Sequence, residues 1–167
     1  MPFEHGLYFR RAVESDQSRL LEWANEAETR RQSFQGHIIT REEHARWFQN
    51  ALRDENTQIL ILCLQQRPMG NVRFSIEGAS AVLSYSIDCG YRGCGFGQEL
   101  IKMAVDYARE SLGLSSLRAM TKLDNPASQK VLLKNGFLRI EELPDRKGVV
   151  FFKDLTASAF YVAKGYL

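Results

Sequence analysis

The chain of 167 residues has few cysteines, little net charge and no long apolar segment, and each shortage excludes a class of protein. The three cysteines, Cys63, Cys89 and Cys94, are an odd number without the spacing of zinc ligands, which favours reduced thiols and a cytoplasmic protein. A formal net charge of +2 is too small to indicate a nucleic acid partner. Because neither a membrane-length apolar run nor a signal peptide is seen, we expect no membrane partner.

What is present is the composition of one globular domain. Hydrophobic residues make up 44% and charged residues 25% of the chain, and 167 residues can bury a substantial core, so we expect a single domain over residues 1–167. Alternating and helical apolar patterns predict an α/β (α+β) fold, in which helices flank a mixed, mainly antiparallel central sheet. We predict strands at 7–13, 57–65, 71–77, 80–88, 117–122, 137–143 and 149–155, and helices at 15–24, 40–53, 126–135 and 156–165, with another after a glycine-rich loop at 92–97.

That loop is the most informative segment. Arg92-Gly93-Cys94-Gly95-Phe96-Gly97, an R-x-x-G-x-G pattern, follows the alternating strand and leads into a helix whose apolar stripe includes Leu100, Ile101 and Ala104. Glycines let the backbone turn sharply and approach a ligand. The first N–H groups of the next helix, backed by its dipole, point at the same place, so the sequence predicts a phosphate or pyrophosphate site.

A second motif narrows the ligand. Asn125-Pro126-Ala127-Ser128-Gln129-Lys130-Val131-Leu132-Leu133-Lys134-Asn135-Gly136-Phe137 follows the next predicted strand. The two motifs, in this order, resemble the pyrophosphate loop and the N-x-x-S/A…G-F segment of GNAT-type N-acetyltransferases, and the resemblance covers nearly the whole chain. It implies the GNAT fold, in which the strands 82–88 and 117–122 splay apart, and acetyl-CoA as the acetyl donor.

The resemblance also implies which residues bind the donor. An N–H group near Ile87 or Asp88 would polarise the thioester carbonyl, while the pantetheine arm pairs with the open strand. Arg92 and Lys130 are candidates for the phosphates; their alternative is simple solvation. The expected cofactor-binding residues are Ile87, Asp88, Cys89, Arg92, Gly93, Cys94, Gly95, Phe96, Gly97, Asn125 and Lys130.

Proton transfer is less clearly encoded. Many family members have a tyrosine at the position of Leu132, and its absence resembles the branch that acetylates ribosomal-protein N-termini, so Ser128 is the candidate acid and Asn125 its positioning partner. Ser128 could instead bond its own helix backbone. The strand has no glutamate before Ile87. We therefore expect a water held by Ser84, Tyr85 and Ser86 to accept the proton; Glu43 and His44 are outside candidates.

The acceptor is expected at residues 23–50, which are rich in aromatic residues, arginine, asparagine and histidine. Their pattern is similar to GNAT enzymes that acetylate nucleotide-linked amino sugars in surface and flagellar glycan synthesis. The tryptophans could equally be core and the arginines a solvated face. The implied substrate-binding residues are Trp23, Asn25, Arg30, Arg31, Phe34, His44 and Trp47.

We therefore expect an N-acetyltransferase in which a primary amine attacks acetyl-CoA directly and no metal takes part. The favoured acceptor is the amine of a nucleotide-linked amino sugar. One alternative is an N-terminal acetyltransferase of a ribosomal or other protein. Another is a non-catalytic acyl-CoA-binding module. An acyl-enzyme at Cys89 or Cys94 has little support, because neither cysteine adjoins a histidine. The sequence leaves open whether the protein forms a homodimer.

Overall fold

The computed structural model of the chain describes residues 6–156, which form seven strands and five helices. The strands are β1 (Leu7–Arg11), β2 (Thr57–Leu64), β3 (Arg67–Glu77), β4 (Ser80–Ile87), β5 (Ser116–Lys122), β6 (Leu138–Leu143) and β7 (Gly148–Asp154). The helices are α1 (Gln17–Asn25), α2 (Ala27–Gln32), α3 (Arg41–Arg53), α4 (Phe96–Glu110) and α5 (Pro126–Lys134). Apart from its first residue, the helix predicted at 156–165 lies outside the described residues.

All seven strands join one sheet in the order β1-β2-β3-β4-β5-β7-β6. Every neighbouring pair is antiparallel except β4 and β5, which are connected through α4 and run parallel. This arrangement confirms the predicted mixed, mainly antiparallel α/β fold.

Helices cover both faces of the sheet, because strand residues alternate between the faces. One face packs Leu60, Leu62, Val72, Phe74 and Leu83 against α4 and α5. The other packs Ile59, Ile61 and Cys63 against α1 and α3. Between residues 6 and 156, no helix is both long and apolar enough to cross a bilayer.

The parallel pair separates halfway along its length. Pairing between β4 and β5 ends at Leu83 opposite Ala119, whereas β4 stays paired with β3 up to Ile87 and β5 stays paired with β7 up to Lys122. The second halves of two adjacent parallel strands therefore diverge, which confirms the predicted splay and leaves a gap between them.

Two local predictions were wrong. The strand predicted at 71–77 begins earlier, at Arg67, and the turn before it lies at Gln65 and Gln66, which have positive φ values of 48° and 71°. A register shift at Leu62/Cys63 accommodates Pro68 in the strand. The helix predicted to begin at Ser15 begins at Gln17, and Ser15 lies in a 3₁₀ turn.

Candidate functional site

The gap between β4 and β5 is lined by backbone groups of β4. The Asp88 N–H donates to the Met69 carbonyl at 2.8 Å, on the β3 side. Because successive residues of a strand direct their backbone groups to opposite neighbours, those of Tyr85 and Ile87 point to the β5 side, where pairing has ended. The N–H expected near Ile87 or Asp88 is therefore available at Ile87 and not at Asp88, and Tyr85 adds a second.

The glycine-rich loop continues from this gap into α4. Asp88 Oδ1 accepts from the Gly90 N–H at 2.9 Å, which fixes a 3₁₀ turn over Cys89–Tyr91. Gly93 and Gly95 have φ values of 76° and 87°, and Gly95 is the N-cap residue of α4. Only glycine adopts these conformations without strain, and they leave the positive end of the α4 dipole at the mouth of the gap. This geometry suits a bound pyrophosphate.

The other residues predicted to bind the cofactor lie around this loop. Cys89 and Cys94 are free, exposed thiols. Gly97, in the first turn of α4, has room for a Cβ, which would lie at ordinary contact distances of 3.8 Å from a methyl group of Val131 and 3.9 Å from Ile87. Phe96 is buried, whereas Lys130 is exposed on α5.

The Arg92 side chain joins the loop to α2 instead of pointing into open solvent. Its Nε donates to the Ile87 carbonyl at 3.0 Å, and its guanidinium donates to Glu26 at 2.7 Å and to Thr29 Oγ1 at 3.1 Å. The Arg92 hydrogen bond lowers the pKa of Glu26 to about 2. Glu26 is therefore ionised and engaged at neutral pH, so it does not serve as a proton acceptor.

α2 spans the open end of the gap. Its N-terminal end is held by Arg92, and at its other end Lys122 Nζ donates to the Arg31 carbonyl at 2.6 Å. Phe34, just beyond α2, lies close to Gly148 at the start of β7, where a Cβ would come within 2.9 Å of the ring. α2 thus connects the loop after β4 with the ends of β5 and β7.

On the α4–α5 side, Tyr85 and Ser128 share a hydrogen bond of 2.8 Å between their hydroxyls. Burial raises the pKa of Tyr85 to about 12, so its phenol stays protonated at neutral pH. Asn125 Oδ1 accepts from the Ser128 N–H at 3.1 Å and caps α5. Leu132 is fully buried in the core. Both residues were predicted from the sequence as catalytic candidates, but their hydrogen bond was not, because 43 residues separate them.

Three of the predicted acceptor residues hold the chain around α2 in place. Trp23 Nε1 donates to Asp88 Oδ2 at 2.7 Å. The Asn25 amide exchanges two hydrogen bonds with the Ile39 backbone, at 2.8 and 2.9 Å. Arg30 donates to backbone carbonyls, among them that of Gln35 at 3.0 Å. Arg31 pairs with Glu28 at the surface. In this structure, these contacts position the segment between α1 and α3.

His44 and Trp47 form a different group, on the α1–α3 face of the sheet. Their rings lie 5.4 Å apart. His44 is buried, its Nδ1 has no hydrogen-bond partner in the described part of the chain, and burial lowers its pKa, so the imidazole is neutral at pH 7. Glu43, in contrast, closes the capping box of α3 with Thr40.

Arg73 of β3 completes this group and was missed at the sequence level. Its guanidinium carbon lies 5.3 Å from the centre of the Trp47 ring. One guanidinium nitrogen donates to Ser84 Oγ of β4 at 3.3 Å. Ser86 donates to Asn71 at 2.6 Å on the same face. Ser84 and Tyr85 point to opposite faces, so they do not hold one water together. Across residues 6–156, no cluster of three or more His, Cys, Asp or Glu side chains is placed to bind a metal.

Comparisons with known proteins agree with this geometry. The family described as acetyltransferase (GNAT) domain matches residues 6–138. No curated protein sequence matches the chain significantly. A spermidine N-acetyltransferase from Vibrio cholerae, in complex with CoA and spermine, is 19% identical with a TM-score of 0.83, over 90% of this chain and 96% of that one.

Two other solved structures are similar. RimL, a ribosomal L7/L12 alpha-N-protein acetyltransferase in complex with coenzyme A, is 19% identical with a TM-score of 0.78, over 92% of this chain and 96% of that one. A domain from Methanocaldococcus jannaschii is 17% identical with a TM-score of 0.78, over 89% of this chain and 97% of that one. The similarity to these structures supports the fold, and the family match supports an enzyme over a non-catalytic module. The chain therefore belongs to the GNAT acetyltransferase family and is an acetyl-CoA-dependent N-acetyltransferase.

Proposed function

We propose that this enzyme acetylates the primary amine of a small acceptor, a nucleotide-linked amino sugar, by direct attack on acetyl-CoA. The observation that supports it most is the pair of unlike surfaces on either side of the splayed strands. The loop at Gly93–Gly97 and the Tyr85–Ser128 pair serve the donor. On the opposite face, Arg73 and Trp47 offer a cation and an aromatic ring, which suit phosphate and base or sugar groups.

The donor half uses backbone groups. In this proposal the first turn of α4 holds the pyrophosphate, and the backbone of Ile87 and Tyr85 pairs with the pantetheine arm as an added strand would. One of these two N–H groups polarises the thioester carbonyl, since it points to where negative charge develops during attack. Acetyl-CoA supplies an activated acetyl group; the protein supplies its orientation.

The proton steps are divided between the two faces. Either hydroxyl of the Tyr85–Ser128 pair can donate; in this proposal Tyr85 does so, which leaves the Ser128 proton free to pass to the departing sulfur. The proton of the amine leaves on the other face, to a water at Ser84, with the neutral imidazole of His44 as the alternative acceptor. Glu43 and Glu26 are both engaged, in the α3 capping box and with Arg92 respectively.

The test is an acceptor screen that measures release of free thiol from acetyl-CoA. A UDP-linked 4-amino sugar, spermidine and a peptide with a free N-terminus are compared at matched concentrations. We expect the highest kcat/KM with the UDP-linked amino sugar. A clear preference for spermidine or for the peptide would refute the nucleotide-linked acceptor and leave the acetyltransferase assignment intact.

A second candidate is N-terminal acetylation of a protein. It is favoured by Ser128 and Leu132 within the N-x-x-S segment and by the similarity of fold to RimL. The same screen decides between the two, because a peptide acceptor needs no phosphate. Addition of UDP at saturating acetyl-CoA should inhibit the first activity and spare the second.

A further inference from the structure

The feature that the donor chemistry does not use is the arginine in the middle of the acceptor face. Arg73 is half-buried on β3, directly opposite Ser84 of β4, which is the first residue after the β4–β5 pairing ends. Strand interiors rarely hold a charge without a partner, because removing a charge from water is costly unless it is paired. Its presence at this point of the sheet therefore calls for a physical reason.

The described residues do not supply an anionic partner for Arg73. Among residues 6–156, its polar side-chain contact is the neutral hydroxyl of Ser84, and its Nε is a buried donor without a hydrogen-bond partner. The other contact is the Trp47 ring, at 5.3 Å from the guanidinium carbon. Burial alone lowers the pKa of Arg73, with no carboxylate acting against it. The guanidinium keeps donors available and lies over the Trp47 ring.

The position of Arg73 relates it to the reacting centre. Ser84 adjoins Tyr85, whose backbone faces the gap proposed to hold the thioester. Arg73 and Ser84 lie on the α1–α3 face, opposite the hydroxyl pair of Tyr85 and Ser128. An acceptor that reaches the gap from the α1–α3 face therefore passes the guanidinium.

We propose that Arg73 determines specificity by binding an anionic oxygen of the acceptor, so that the enzyme selects amines that carry a phosphate or carboxylate. A guanidinium presents two parallel donors that match either group, and the cation-π contact with Trp47 helps to position it. The inference rests on the proposed acetyltransferase site and names the charge of its acceptor. It is independent of whether the phosphate belongs to a nucleotide.

The test compares glucosamine 6-phosphate with glucosamine, which differ by one phosphate, and adds an Asp-containing dipeptide as the carboxylate source. Wild-type enzyme should prefer an anionic acceptor, and Arg73→Met should raise the KM for it by about 10- to 100-fold, the loss typical of a hydrogen bond to a charged group. The KM for glucosamine and the affinity for acetyl-CoA should change less than threefold. Arg73→Lys keeps the charge without the two parallel donors, so its KM for the anionic acceptor should lie between those of the wild type and Arg73→Met.

Arg109→Gln is the matched control, because it removes an arginine from the surface of α4, where Asp106 is its partner. A readout that needs no turnover is calorimetric binding of UDP to protein saturated with coenzyme A. Binding in the wild type and at least tenfold weaker binding in Arg73→Met support the inference.

Equal KM effects on glucosamine and its phosphate, or spermidine as the preferred acceptor, would overturn the role of Arg73. Absence of binding by UDP and by inorganic phosphate, together with a dipeptide KM that does not depend on Arg73, would also overturn it. If glucosamine 6-phosphate or the dipeptide shows the Arg73 dependence while the UDP-linked sugar is not acetylated, Arg73 binds an anion and the nucleotide-linked acceptor is wrong.

Discussion

The hydrogen bond between Tyr85 and Ser128 makes a quantitative prediction about the departing thiol. Ser128→Ala removes the hydroxyl that we place between the phenol and the sulfur. If Ser128 transfers the proton, kcat should fall by about 10²- to 10⁴-fold, the usual contribution of a positioned general acid. Binding of acetyl-CoA should change little, because the substitution leaves the α4 loop unchanged.

The same substitution has a stability cost that can be measured separately. Without the Ser128 hydroxyl, the half-buried Tyr85 hydroxyl loses its hydrogen-bond partner, which costs about 1–3 kcal/mol of unfolding free energy. Tyr85→Phe in the Ser128→Ala background removes that unpaired group, so the double variant should regain stability without regaining kcat. Denaturant unfolding of the four proteins gives the coupling energy.

The pH dependence has a definite sign. The pKa of Tyr85 is raised from its usual value of 10.0 to about 12, so the folded state favours the protonated phenol. Its contribution to stability, about 2–3 kcal/mol from a shift of this size, is complete below pH 10 and is lost as the pH rises towards 12. Tyr85→Phe should remove this part of the alkaline destabilisation.

Ser128→Thr keeps a hydroxyl and should recover most of kcat. Wild-type kcat in Ser128→Ala, with acetyl-CoA binding intact, would refute the proton transfer and leave Ser128 as a structural partner of Tyr85. Equal losses of kcat in Ser128→Ala and Ser128→Thr would indicate a steric effect instead of a missing hydroxyl.

Three further predictions concern the segments around the gap. Gly95→Val, at a φ of 87°, should weaken acetyl-CoA binding at least tenfold in calorimetry, because a β-branched residue at the α4 N-cap disfavours this conformation; unchanged affinity would refute the pyrophosphate cradle. Glu26→Gln removes the ion pair with Arg92 and should speed hydrogen exchange in α2, whereas unaltered exchange would show that the pair does not hold the helix. Arg30→Ala should lower the melting temperature, because Arg30 donates to backbone carbonyls; a higher acceptor KM with unchanged stability would return Arg30 to the substrate side.

The donor half of the site was predictable because it is nearly continuous in the chain. The loop at 92–97 and the segment at 125–137 carry their glycine, asparagine and proline signals in sequence order. Thr40 and Glu43 likewise indicate the start of α3, because they form a capping box that the structure contains. The start of β3 was not predictable, because Pro68 and Gly70 are typical of a turn and a bulge between them, at Met69, accommodates them in a strand.

The acceptor half could not be predicted because it is assembled by tertiary contacts. In sequence, Arg73 occupies a polar position of an alternating strand, which usually indicates a solvated face. Its surroundings come from α3, which supplies Trp47, and from the β3–β4 register, which places Ser84 opposite it. Conversely, Trp23, Asn25 and Arg30 resemble a binding motif in sequence, yet their polar groups are engaged with the protein itself.

This difference also explains why similarity of fold does not define the acceptor. The Vibrio cholerae structure has the same fold at 19% identity and is a spermidine N-acetyltransferase. Spermidine keeps positive charges on its remaining amines when one amine reacts. Two unit charges 4 Å apart near a protein surface repel by about 4 kcal/mol, close to a thousandfold in affinity, so a polyamine beside the unpaired Arg73 guanidinium would bind poorly unless the protein supplied an acid. We therefore expect the charge at this strand position to select between acceptors. Comparison of the wild-type enzyme with Arg73→Met on spermidine tests this: loss of the guanidinium should improve spermidine as an acceptor, and a decline would show that Arg73 does not face the acceptor.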